Sequence, residues 1–514
     1  MFALARVRRI LRIALSVMLA ASLLATLNPS IRANEPEPIR LDPKNPHYFL
    51  FRGKTIALIS SGEHYGAVLN ADFDYKKYLV TLAADDLNYT RLFGGIYVEV
   101  PGKSFAIQRN DLAPQPGRFI APWARSDAPG YTGGGNKFDL ARWNPEYFDR
   151  LRDFLSEAAK RGIVVELTLF SSHYGEQQWN VSVLNAANNV NQTDAIEWQK
   201  VQTLENGNLL KYQEQYTRKL VRETNPFDNV IYEIQNEPWS DRPLFADVIN
   251  PYLQRPARDR YPNSVDLADE LSISWQARVA EWITSEESSL PHKHLIAQNY
   301  ANFRFSVRKL LPQANVINFH YAYPEAVTEN YDLDKAISYD ETGFLGREDD
   351  AYRRQAWSFM LSGGGTFDGL DYSFTPGHED GTDTGPNGPG GGSPALRKQL
   401  GILQNFLQRF SLAELKLDRQ TVKHASGVSA RALSNPGREY GIYLDGSGPA
   451  EITLELPRGE YSVEWVNTKT SAVERSENFH HSGGPKVMQS PKFVDGIALR
   501  LASANQSVAK PRIY

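Results

Sequence analysis

Cysteine is missing from all 514 residues of this sequence. That absence excludes disulfides, thiolate chemistry and cysteine-ligated metals, and it removes the attachment site of a bacterial-type lipid anchor. The 10 histidines show no HExxH or similar close spacing, so neither a metal nor any other cofactor is expected. An excess of one charge sign is absent too. The net charge of −4 gives no electrostatic case for nucleic acid or an anionic membrane as partner. The apolar run at residues 13–27 has 15 residues, short of the roughly 20 a bilayer span needs. It follows a basic head of Arg6, Arg8, Arg9 and Arg12 and precedes a small residue, Ala33. This pattern predicts a signal peptide over residues 1–33, and a mature protein secreted free of the membrane.

Hydrophobic and charged fractions, 41% and 23%, are those of an ordinary globular protein, so a normal core is available. Aromatic content suits a protein that stacks rings on sugars, and equally any well-packed large domain. At about 150 residues per domain, the length allows two or three domains, or one large barrel with an appendage.

Along the chain, apolar strand-like segments alternate with helical ones. Strands are expected at 55–60, 89–93, 163–170, from 231, at 294–299 and 315–320, from 336, and at 363–369. Helices are expected at 74–87, 144–161, 209–223, within 264–288, at 303–311, 352–361 and 395–409. Residues 94–143 read as a long structureless excursion of the kind that covers or shapes a site. Eight β–α alternations predict an α/β fold, a (β/α)8 TIM barrel over 34–415. An open doubly wound sheet would carry a glycine fingerprint after its first strand, and there is none. Residues 416–514 turn to short alternating strands separated by turns, which predicts a small all-β sandwich domain.

The barrel is organised around residues 231–239. An apolar β-branched run ends in Asn236-Glu237-Pro238, where proline stops the ladder. A carboxylate beside an amide at the carboxyl end of a buried parallel strand stands where such folds keep their active sites. A second one, Glu341, ends the seventh strand. Two carboxyl groups about 5–5.5 Å apart are what retaining glycosidic cleavage requires. Asp340 competes with Glu341, because alternation sends neighbours to opposite faces.

Asn236-Glu237-Pro238 on the fourth strand and Glu341 on the seventh resemble the signature of the clan A glycoside hydrolases, the superfamily of retaining, cellulase-like (β/α)8 enzymes. The resemblance implies that Glu237 is the general acid/base and Glu341 the nucleophile. It further implies that Asn236 binds the sugar 2-hydroxyl and that Arg91 keeps the nucleophile ionised. His320, with Tyr321 or Tyr323, is similar to the sixth-strand set beside the nucleophile. Burial or charge should raise Glu237 and leave Glu341 ionised. Trp239 is the candidate stacking platform, with Trp179 and Tyr300 further off and Trp357 read as core. His173 is a candidate lining residue. The acidic loop 378–383 reads as a flexible rim; its oxygens suit calcium, but the spacing is not that of an EF-hand.

The expected function is hydrolysis of a polysaccharide or oligosaccharide by double displacement. The alternative is a non-catalytic carbohydrate-binding protein on a hydrolase scaffold. A closed end of the cleft, built by residues 94–143, would favour exo action, and both endo and exo action stay open. The C-terminal part resembles the small sandwich domains attached to many secreted glycosidases, with support of the barrel as its expected role. Three Asn-Xaa-Ser/Thr triplets, at Asn88, Asn180 and Asn191, matter only in a cell that glycosylates.

Overall fold

Eight parallel strands form the central sheet of this computed structural model: β1 (Leu58–Gly62), β2 (Tyr89–Phe93), β3 (Val164–Ser171), β4 (Val230–Asn236), β5 (Leu295–Asn302), β6 (Val316–His320), β7 (Ala336–Glu341) and β8 (Thr366–Leu370). The structure describes residues 36–105, 107–248, 263–385 and 388–503; the expected signal peptide lies outside them. Ladders run in the order β1-β8-β7-β6-β5-β4-β3-β2, all parallel, so the sheet curls into a TIM barrel. The β1–β2 seam is closed by a side chain. Asn88 accepts from Ile59 N at 2.8 Å and donates to Ala57 O at 2.9 Å, while its backbone N–H reaches Ile59 O at 3.2 Å.

Among the described residues, six helices of ten residues or more accompany the strands: α1 (Tyr75–Ala84), α2 (Pro145–Lys160), α3 (Leu209–Thr224), α4 (Glu270–Glu287), α5 (Asp349–Met360) and α6 (Pro394–Leu407). Their ends follow local chemistry. Asn144 caps α2 by accepting from Glu146 N, with Pro145 at the first helical position. Ser393 caps α6 in the same way, accepting from Leu396 N at 2.9 Å. The α2 face of Tyr147, Leu151, Phe154, Leu155 and Ala158 is buried against the barrel.

Three expectations need correction. Residues 303–311 are not helical. Their amides are captured by side chains instead: Val307 N by Asn330, Arg308 N by Tyr300 and Leu311 N by Gln298. Pro312 then disfavours helical backbone at its neighbour. The excursion is not structureless, because Trp123–Pro129 and Asn136–Trp143 pair as an antiparallel hairpin with Trp123 and Phe138 buried. Residues 264–268 belong to a strand, Asn263–Ala268, paired with Pro243–Val248 before α4 begins.

After Leu415 two antiparallel sheets stack. The six-stranded one includes Ser429–Asn435, Glu439–Asp445, Gly459–Asn467 and Ile497–Ser503; the three-stranded one is Val422–Ala425, Glu451–Leu456 and Gly484–Gln489. Ile442, Leu444, Ile452, Leu454, Val463, Trp465 and Leu499 fill the space between them. Barrel and sandwich belong to one compact unit that begins at Pro38. Trp357 of α5 stacks on Tyr443 at 5.6 Å, and the fully buried Arg353 donates to Thr468 Oγ1 at 2.6 Å and Asp495 O at 3.0 Å.

Candidate active site

The carboxyl ends of the strands carry a buried polar network. Arg91 at the middle of β2 is fully buried. Its Nη2 donates to Glu233 Oε1 at 2.6 Å and to Asn236 Oδ1 at 2.7 Å, both on β4. Its Nη1 donates to Glu341 Oε2 on β7 at 3.3 Å, and its Nε lies 3.3 Å from Asp340 Oδ2. One guanidinium therefore orients residues of two other strands. A charge at this depth is tolerable only because every face of it is paired.

The competition between Asp340 and Glu341 resolves through a register shift. β6 and β7 pair regularly up to Phe319 opposite Tyr339, and then His320 stands opposite Glu341. The extra residue breaks the two-residue alternation. Both carboxylates face inward: Asp340 down into the barrel, where Asn318 Nδ2 donates to it at 2.9 Å, and Glu341 up into the cavity.

Glu237 follows β4 directly, with φ at 44°. Tyr65, Tyr174, Phe303, Tyr321 and Phe344, just beyond five other strands, share this left-handed backbone. Such conformations cost roughly 1–3 kcal/mol each and gather at functional sites. Here they ring the barrel mouth. An oxygen of Glu237, an oxygen of Glu341 and a nitrogen of His320 all lie within 4.8 Å of one another. His320 Nδ1 is 2.8 Å from Glu237 and 3.7 Å from Glu341, closer to the residue just after β4 than to the one on β7. Tyr321 Oη bridges the pair, donating to Glu341 at 2.8 Å and lying 3.3 Å from Glu237.

The pKa shifts of the pair run opposite in direction to the sequence expectation. Burial pushes Glu237 up, but the His320 hydrogen bond and charge, Tyr174 and Arg91 outweigh it and hold Glu237 below its ordinary value. Burial also pushes Glu341 up; His320 and Arg91 pull it down, the charge of Glu237 adds to the rise, and Glu341 ends above its ordinary value. Burial opposes charge on His320 as well, yet Glu341, Asp340 and Glu237 drive it well upward.

A cavity of about 470 Å³ opens over this group, within the range of about 300–1,000 Å³ usual for ligand sites. Asn236, Glu237, Trp239, Tyr321 and Glu341 line it. Trp239 packs edge-on to His320 at 5.5 Å, and Arg91 and His320 lie beneath. His173 and Tyr323 do not line it. His173 N–H is held by Asp241 at 2.8 Å and its ring packs on Trp179; Tyr323 stacks on Phe303.

Residues 378–383 are tied down rather than flexible. Arg397 donates to the carbonyl of Gly381, Asp380 pairs with Lys77 at 2.9 Å and Asp383 with Arg109 at 2.6 Å. Among the described residues, the clusters close enough to hold a metal are Glu237–His320–Glu341 and Glu166–Glu233–Asp340, and this loop is not one of them.

Several participants escaped the sequence reading. Glu166, Glu233, Asn299 and Asn318 sit inside strands, where apolar neighbours disguise them; the signal was a carboxylate or amide inside an otherwise apolar run. Tyr97, Glu99 and Phe105 came from the excursion, which offers no periodicity to read.

No known family profile and no curated protein matches the sequence. Solved structures do. A glycoside hydrolase family 5 protein from Bacteroides vulgatus superposes with a TM-score of 0.59 at 12% identity, over 93% of this chain and 95% of its own. A structure titled "Glycoside hydrolase" superposes with a TM-score of 0.58 at 13% identity, over 92% and 98%. Coverage of that extent reaches beyond the barrel into the C-terminal strands. The chain has the fold of these glycoside hydrolase structures, a TIM barrel followed by a β-sandwich.

Proposed function

We propose that this protein is a retaining glycoside hydrolase of clan A type that cleaves an oligosaccharide or polysaccharide by double displacement. One observation carries the reading: two carboxylates from the fourth and seventh strand ends with oxygens within 4.8 Å, over a buried arginine and inside a cavity. That separation falls on the retaining side, because inverting enzymes need about 6.5–9.5 Å to admit a water. Glu341 is the nucleophile. Arg91 and Tyr321 both donate to it and stabilise its anion. Glu237 is the acid, then the base. Tyr321 Oη lies within reach of both carboxylates, so a proton on Glu341 can be exchanged for one on Glu237 as the hydroxyl accepts from the first and gives its own hydrogen to the second. Asn236, fixed by Arg91 and by its own donation to Tyr174 Oη at 2.7 Å, presents its amide to the sugar. Trp239 supplies an apolar face. Residues 1–33 support export, so the substrate is met outside the cytoplasm.

The test is release of sugar from a broad panel of aryl glycosides and polysaccharides by wild type and Glu341→Gln. Wild type alone should turn over. Added azide should rescue Glu341→Ala with inversion at the anomeric carbon and Glu237→Ala with retention. Turnover by Glu341→Gln would refute the assignment. Glycan binding without turnover by wild type would favour a carbohydrate-binding protein instead.

A further inference from the structure

The cavity has two unlike ends. One is walled by buried side chains, Tyr65, Phe93, Tyr97, Ile107, Leu112 and Tyr372, drawn from the loop after β1, from β2, from the excursion and from the loop after β8. The excursion is pinned on three sides. A Cβ at Gly66 would run into the backbone of Asp111, and Asn70 Nδ2 donates to Asp111 O at 2.9 Å. Phe105 packs edge-on against Tyr174 at 5.1 Å, and Gln178 donates to Ser104 at 3.3 Å. Arg109 bonds to Asp383 beyond β8. The other end is open: there Phe245 and Phe344 are 64% and 67% exposed.

Chemistry orients a substrate between these ends. The acid protonates the departing oxygen, so the departing group lies on the acid's flank. Glu237 accepts from Ser240 Oγ at 3.3 Å, on the flank that continues to Pro243, Phe245 and Asp266. The sugar that bonds to Glu341 therefore faces the walled end.

Glu99 stands in that wall, buried. Tyr97 Oη donates to its Oε1 at 3.0 Å, Asn110 Nδ2 donates to its Oε2, and His64 Nε2 lies 3.6 Å away. The described residues lining the cavity include four carboxylates, Glu99, Glu237, Asp266 and Glu341, and no lysine or arginine; Arg91, bonded to Glu341 from below, is already shared with Glu233 and Asp340. A uronic acid or sulfated sugar would meet like charge from these carboxylates and no cationic side chain in the lining left to pair with it.

We propose that the wall makes the cavity a dead end, so that the enzyme removes neutral sugars from non-reducing chain ends, with Glu99 gripping hydroxyls of the terminal residue. This rests on the hydrolase reading above. A panel of 4-nitrophenyl glycosides, neutral sugars and uronates in both anomers, names the sugar. Oligosaccharides of that sugar, fluorescently labelled at the reducing end, then report the cleavage site. Early labelled products should be shortened from the non-reducing end by one fixed step. Labelled products of every length at early times would overturn exo action while leaving the hydrolase intact. Preference for a uronate would overturn the charge argument. Release from no glycoside would overturn exo action, and intact polysaccharides in the panel above as well would sink the hydrolase reading with it. Glu99→Gln should lose about 10–100-fold in kcat/KM on the parent glycoside, as expected for a hydrogen bond to a charged group. On the deoxy glycoside lacking the gripped hydroxyl, variant and wild type should be alike. Equal losses on both substrates would assign Glu99 a structural part only.

Discussion

Arg91 shows how much one side chain can organise. It joins Glu233, Asn236, Asp340 and Glu341, four groups on two other strands, and its own removal would strand several of those carboxylates without a cation. Arg91→Met should therefore destabilise the fold by about 3–5 kcal/mol, read from urea unfolding, besides abolishing turnover. Beneath it Glu166 is pushed up to about 8, first by burial and then by the charges of Glu233 and Asp340. A carboxyl raised in this way contributes stability that is complete below its ordinary 4.5 and is lost as pH rises towards about 8. Glu166→Gln can still accept from Tyr89 or Asn318 and should flatten the fall of the thermal midpoint across that window. An unchanged slope would place the proton elsewhere in the network. Asn236, Glu237 and Glu341 were legible in the sequence as polar residues at strand ends. The inward turn of Asp340 was not, because the register shift that causes it leaves no mark on composition.

At the level of elements, all eight barrel strands announced themselves as apolar runs, and the helices by their spacing and caps. Failures have one physical source: backbone groups satisfied by partners, side chain or strand, that the local sequence does not show. Asn330 and Gln298 hold residues 303–311 out of a helix that spacing alone would allow. In the sandwich, Val473–His481 is mostly exposed and polar, so its pairing with Gly459–Asn467 rather than its pattern makes it a strand. The seam between β1 and β2 belongs here too. Asn88 supplies there what a strand ladder supplies elsewhere. Asn88→Ala removes a donor and an acceptor from partly buried partners and should cost about 1–3 kcal/mol, with amides of β1 and β2 exchanging hydrogen faster than those of β4 and β5.

For the whole molecule, barrel and sandwich share apolar contacts rather than a linker. Leu433, Tyr443, Val466 and Ala498 of the C-terminal strands pack into the same cluster as Trp357, Phe406 and Leu407 of the barrel. Truncation after Leu415 should expose that surface and yield insoluble barrel, measured as the soluble fraction on expression; a soluble, folded product would make the sandwich dispensable. The two-part architecture was readable from the change of periodicity near residue 415. This shared core was not, since nothing in a run of alternating residues says which neighbour it will meet. The Asn88 seam also bears on how the protein can be made. Asn88-Tyr89-Thr90 is an acceptor triplet, and the side-chain nitrogen that a glycan would occupy is the one that donates to Ala57 O. In a host that glycosylates nascent chains, an oligosaccharide added there would arrive before the barrel closes and occupy the place where its first and second strands must meet.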